Sequence, residues 1–208
     1  MDTTHTYPAS LVIDSFEGER DKVTTFFRPF VAIPILIILG LLGGASFSWY
    51  NSPWGLEIPV AGFVVLPTVL MLLFRQKYPR WWFDWNLAVT RFSMRVGAYM
   101  ALLRDEYPST DEEQAVHLDL VYPDAATELS RGLPLVKWLL AIPHLIILSV
   151  LSFVVLFCII AAWFAILITG KYPEALSTFV IGYMRWELRV AAYAFLLTTD
   201  RYPPFSLD

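Results

Sequence analysis

The stretch KYPEALSTFVIGYMRWELRVAAYAFLLTTDRYP, residues 171–203, has an earlier counterpart in the same chain: residues 77–108 read KYPRWWFDWNLAVTRFSMRVGAYMALLRDEYP. Superposing the two Lys-Tyr-Pro triplets brings Arg91 onto Arg185, Arg95 onto Arg189, Val96 onto Val190, Ala98 onto Ala192 and Tyr99 onto Tyr193. Leu102 and Leu103 then fall on Leu196 and Leu197, and one extra residue separates the closing Tyr-Pro pairs. A match held in register over so many positions is the signature of an internal repeat. The sequence therefore divides into two copies of one unit, residues 1–109 and 110–208.

Working outward, each copy places a long apolar tract before this stretch. One runs from Phe30 to Phe74, broken by the patch SFSWYNSPWG at residues 46–55; the other runs from Leu139 to Thr169. Hydrophobic residues make up 57% of the chain and charged residues only 16%, against roughly 25% charged in a soluble domain. Runs of this length with almost no charge (Glu57, at the edge of the second segment, is the exception) are the mark of membrane spans, because about 20 helical residues cross the hydrocarbon core. Residues 1–25 are polar and acid-rich without a basic lead into a short apolar core, so targeting is expected to fall to the first span.

All 15 Lys and Arg residues lie outside the apolar tracts, and the 46–55 patch has none. The positive-inside rule then makes that patch external, with Trp49, Tyr50 and Trp54 at the water interface. Spans are expected at about Pro29–Ala45 and Leu56–Phe74. The tract 139–169 can form one long helix or a hairpin of two short spans; the hairpin keeps every basic residue on one side and is preferred. The expected fold is an all-α integral membrane protein. It has four transmembrane helices in two parallel repeats, with both termini cytoplasmic at the inner membrane. Each repeat opens with a short cytoplasmic strand, in residues 8–16 and 115–123, where apolar and polar residues alternate. Each closes with an amphipathic helix in the interface plane.

The second copy resembles a family of bacterial and archaeal membrane proteins known as domain-of-unknown-function family 4389. The resemblance rests on Ala141-Ile142-Pro143-His144, Trp163 to Leu167, Gly170-Lys171-Tyr172-Pro173, Arg185-Trp186, Arg189-Val190, Ala192-Tyr193 and Arg201 to Phe205. The first copy departs from it, with Ile35 where His144 stands, Gln76 in place of Gly170, and the 46–55 patch inserted. The resemblance implies membrane topology in two tandem copies and brings no activity with it.

The stripes Arg91, Arg95, Tyr99 and Arg185, Arg189, Tyr193 are the candidate site. Guanidinium pairs with phosphate oxygens and carboxylates in a two-pronged fashion, so the expected ligands are anionic lipid headgroups or an acidic partner; two snorkelling arginines without a ligand are the alternative. His144 lacks companions for a metal or haem site. The acidic tract Asp105, Glu106, Asp111, Glu112, Glu113 and Asp119 reads as a solvated linker. No nucleophile–base pair, phosphate loop or HExxH motif appears, the spans hold no ionisable group at their centres, and neither cofactor nor nucleic acid is implied. These features point to a non-enzymatic accessory or scaffold subunit among other membrane proteins. The alternative is a small-solute or lipid transporter or channel working as an oligomer.

Overall fold

A computed structural model describes residues 7–16, 18–43 and 60–208. The expected interfacial patch with Trp49, Tyr50 and Trp54, and the start of the second span, lie outside these. The chain forms β1 (Ala9–Ile13), α1 (Lys22–Val31), α2 (Ile33–Gly43), α3 (Val60–Leu70), α4 (Arg80–Met100), β2 (Val116–Leu120), α5 (Lys137–Thr169) and α6 (Glu174–Ala194). A wide π turn, Met71–Arg75, extends α3.

The strands alternate in burial because successive side chains leave a strand on opposite faces. Ala9 and Leu11 of β1 and Val116, Leu118 and Leu120 of β2 turn inward, while Ser10, Val12, His117 and Asp119 face outward. The strands pair antiparallel, with Leu11 opposite Leu118 at the centre. Arg91 of α4 donates to the Leu118 carbonyl and Arg185 of α6 to the Leu11 carbonyl, so residues 118 and 11 hold equivalent places and a local two-fold axis passes between them. Contacts across this axis are exchanged: α6 of the second copy packs on β1, and α4 of the first packs on β2. Below α4 and α6 lie the apolar helices, α2 against α4 and α5 against α6, with α1 alongside α5.

The four-span, all-α expectation does not hold. The fold is mixed, with the antiparallel ribbon as one layer, and α5 alone is, among the described residues, a single helix long and apolar enough to cross a membrane. The hairpin expected in 139–169 is one helix of 33 residues, about 50 Å at 1.5 Å per residue. The reason is local: from Leu145 to Thr169 the chain offers no Gly, Pro, Asn or Asp to make a turn. The helix stops only at Gly170, whose φ of 75° an L side chain rarely adopts and whose N–H bonds the Ile166 carbonyl at 2.8 Å. In the first copy the helix starts at Lys22 rather than near Pro29. Pro29 therefore falls inside α1, and with Pro34 it bends the α1–α2 pair by 43°. Helix α3 with its π turn is a shorter apolar helix.

The stretches that define the repeat form matching helices of 21 residues, α4 and α6, each begun by the proline of its Lys-Tyr-Pro triplet. They do not lie at the periphery. Val96, Ala98 and Tyr99, and likewise Val190, Ala192 and Tyr193, are at most 2% exposed, sandwiched between ribbon and apolar helices. Both helices end in a leucine of positive φ, Leu102 at 63° and Leu197 at 57°. Left-handed leucine costs about 1–2 kcal/mol, and full burial of both side chains offsets it. Leu102 is thus the counterpart of Leu197, not of Leu196. The extra residue of the second copy sits in this cap: Leu103 N–H bonds back five residues to Ala98, Thr198 N–H six to Ala192.

Candidate functional site

The expected site residues divide between two settings. Tyr99 and Tyr193 face the apolar layer. Arg28, from α1, stands 4.5 Å over the Tyr99 ring, and Lys137, opening α5, stands 5.1 Å over the Tyr193 ring. These two cations are equivalent in the sequence and almost wholly buried. Arg28 donates to the Tyr99 and Arg104 carbonyls and pairs with Asp105, which Arg20 also reaches at 3.2 Å. Lys137 pairs with Asp200 at 2.8 Å and donates to the Thr199 carbonyl at 2.6 Å. Each copy therefore fastens its first apolar helix to the loop after its last helix through a buried cation on one carboxylate, which in the first copy a second arginine, Arg20, also reaches. Asp105 is no solvated linker residue, and the acid that marks this role is the one just beyond each left-handed leucine.

The arginines line two clefts on the ribbon side, one per copy, and each cleft combines the helix of one copy with the strand of the other. In the first, of about 310 Å³, Arg91 Nε donates to the Leu118 carbonyl at 2.8 Å and Arg91 Nη2 meets Asp119 at 2.9 Å. Arg95 Nη1 donates to the Ser109 carbonyl at 3.0 Å. In the second, of about 360 Å³, Arg185 Nε donates to the Leu11 carbonyl at 3.1 Å, and Arg189 donates to the Ser206 carbonyl. Arg95 and Arg189 are at most 9% exposed, and the Nε of each is buried without a hydrogen-bond partner. Burial lowers the Arg189 guanidinium from its ordinary value, with Tyr7 and Asp208 acting the other way.

Both floors end in the same turn. Ser109 Oγ lies 3.1 Å from Asp111 Oδ1 and accepts from the Asp111 N–H; Ser206 Oγ lies 2.9 Å from Asp208 Oδ2 and accepts from the Asp208 N–H. The signal was present as Ser-x-Asp after each closing Tyr-Pro, but two further residues in the second copy shift it out of register. The clefts differ in charge. The place of Asp119 in the first is taken in the second by Val12, its equivalent on the other strand.

His144 is fully buried between α5, α6 and the C-terminal segment. Its Nδ1 accepts from Trp186 Nε1–H at 3.0 Å, its ring stacks on Phe205 at 3.8 Å, and its Nε2 has no hydrogen-bond partner. Among the described residues no group of three or more His, Cys, Asp or Glu side chains could hold a metal ion.

Residues 134–206 match a family model described as Domain of unknown function (DUF4389). The match takes in all of α5 and α6, about a third of the chain, as a single copy. No curated protein and no solved structure matches the chain.

Proposed function

We propose that this chain is a non-enzymatic accessory or scaffold subunit that lies on the inner membrane with α5 in the interface plane. It is built of two tandem copies of the family unit and presents its arginine clefts to a partner on the water side. The observation that carries this reading is the direction of α5 relative to the ribbon. At one end of α5, Lys137 is tied to Asp200, and Tyr7, just before β1, donates to the carbonyl of the adjoining Arg201. At the other end the Gly170 carbonyl accepts from the Arg20 N–H, and the Asp14 carbonyl, just after β1, accepts from Arg104. Helix α6 packs on α5 and β1 packs on α6, so the ribbon is held to α5 through α6. A crossing α5 would carry β1 across the bilayer with Ser10, His117 and Asp119 in hydrocarbon, where unsatisfied polar groups cost several kcal/mol each.

In the plane, the layers sort themselves. Ile146, Val150, Phe153 and Phe157 form one stripe of α5, 61–69% exposed, and they join exposed Phe26, Phe27, Phe30 and Leu41 of the α1–α2 pair. An apolar face of this extent needs lipid or a partner to cover it. Trp81, Trp85 and Trp138 are also exposed, and tryptophan favours the membrane–water interface. In this reading Tyr7 and the segment of Arg201, which are hydrogen-bonded to each other, face water.

Two labelling positions test the placement. In a Cys158→Ser background, Lys171→Cys and Arg131→Cys put exposed thiols at opposite ends of the molecule. A membrane-impermeant maleimide added to the cytoplasmic side of inverted vesicles should label both. Labelling of only one until the membrane is breached refutes the in-plane reading. Extraction in mild detergent tests the scaffold role, since a stoichiometric partner is expected; recovery of only the bare 23.8 kDa chain across several detergents and nanodiscs refutes it.

A further inference from the structure

The two clefts are equivalent in backbone and arginines and unequal in charge. In the first, the Asp119 carboxylate rests on Arg91, 2.9 Å away, so the cleft carries its own anion. The two-fold axis maps Asp119 onto Val12, which is 53% exposed and offers Arg185 no charge. Arg185 is held by the Leu11 carbonyl through Nε alone, which leaves its terminal nitrogens with no hydrogen-bonded partner among the described residues. Behind it the largely buried Arg189 has an unpartnered Nε. Asp208 is the acid lining this cleft, and it belongs to the turn of Ser206. Among the described residues neither guanidinium has a carboxylate within ion-pair distance, which leaves an open, fork-shaped donor.

We infer that the cleft of Val12, Arg185 and Arg189 receives a carboxylate from an acidic segment of a partner protein, in the position that Asp119 fills in the sister cleft. The inference rests on the scaffold reading and names the chemistry of its partner. The sister cleft supplies the ligand type, since the group seated on Arg91 is a carboxylate carried on extended backbone. The Ser10 hydroxyl, also in the cleft, adds a second donor. The floor of the cleft is β1, on the opposite side of α6 from the apolar layer, so a segment arriving from water reaches it without passing the membrane.

The test uses the full chain in nanodiscs of zwitterionic lipid, with a fluorescent hexaglutamate peptide followed by anisotropy. Arg185→Gln should weaken binding about tenfold or more, the loss expected for one charge-assisted contact. Val12→Asp should do the same by supplying the missing internal anion. Asp119→Val combined with Glu113→Gln, which removes the other acid peculiar to the first cleft, should create a second cleft of the same kind and double the stoichiometry. All the substituted positions are exposed or half-buried, and a melting curve of each variant shows that the fold survives. Affinity unchanged by both Val12→Asp and Arg185→Gln overturns the inference. So does a result in which these variants alter retention on phosphatidylglycerol vesicles and not peptide binding, because the anion would then be a lipid headgroup. The peptide assay reads the cleft alone, so its failure is distinct from a failure to copurify a partner.

Discussion

Asp105 is the most exposed to attack of the residues that hold the layers together, because two cations depend on one of its oxygens. Arg20 Nη1 and Arg28 Nη2 both reach Oδ1, and the two arginine side chains are only 6% and 2% exposed. Arg28 keeps the Tyr99 and Arg104 carbonyls if the acid is lost, and Arg20 keeps that of Leu103. Their hydrogen bonding therefore survives in part, and the loss is chiefly of charge. Breaking a buried pair costs about 3–5 kcal/mol, because a charge is left uncompensated. Asp105→Asn keeps an oxygen in place and should fall near the lower end, about 3 kcal/mol; Asp105→Leu removes the acceptor too and should approach about 5 kcal/mol. For a chain of this size 1 kcal/mol moves Tm by about 2–4 °C, so the melting point in one detergent should drop by about 6–20 °C across the two variants. Adding Arg20→Gln to Asp105→Asn should recover part of the drop, since one stranded charge is removed with the acid. A drop below about 2 °C for Asp105→Leu, or a double variant worse than the sum of its parts, refutes the assignment of Asp105 as the counter-charge.

Three further outcomes follow from the same geometry. Burial pushes the Tyr172 hydroxyl up to about 12 and raises Tyr78 as well, whereas unfolded tyrosine ionises near pH 10. Their contribution is present in full below pH 10 and is lost as pH rises toward 12, so denaturant midpoints should fall over that window while absorbance at 295 nm shows tyrosines titrating late. Gly170→Ala places a side chain at a φ of 75° and should destabilise by about 1–2 kcal/mol, seen as a lower Tm with unchanged far-ultraviolet dichroism. Leu197→Ala removes a fully buried side chain at the α6 cap and should cost about 2–5 kcal/mol by the same melting assay.

The strands and the two matching helical stretches were legible because each is written in local chemistry. Period-two alternation at residues 9–13 and 116–120 and the proline before each 21-residue helix need no distant information. The four-span arrangement failed because it came from a rule about basic residues and the membrane, applied to a tract with no turn residues. Local helix preference decided residues 139–169, and contacts at its two ends, Lys137 with Asp200 and Lys22 with the Ile168 carbonyl, then fixed α5 to the loop after α6 and to α1. The arginine stripes were found as residues but not as sites. Nothing within either copy states that Arg91 will meet Leu118 and Arg185 will meet Leu11, since both contacts depend on how the copies pair. Asp105 and Asp200 could have been found by aligning the copies backward from the closing Tyr-Pro, which restores the register that the extra cap residue breaks.

The exchange of strands between copies bears on molecularity. Each helix of the pair α4 and α6 is roofed by a strand that its own copy does not supply, so neither half of the chain can close its own layers. A chain severed between residues 109 and 110 should yield fragments that fold only on meeting, at a rate set by their concentrations. Joined, the reaction becomes intramolecular, and the short tract between α4 and β2 holds the strand at a high effective concentration. A protein bearing a single copy would have to find a second molecule to complete the same ribbon. Within one chain the two clefts can differ, one holding Asp119 and the other Val12, whereas in a pair of identical molecules any change would appear in both.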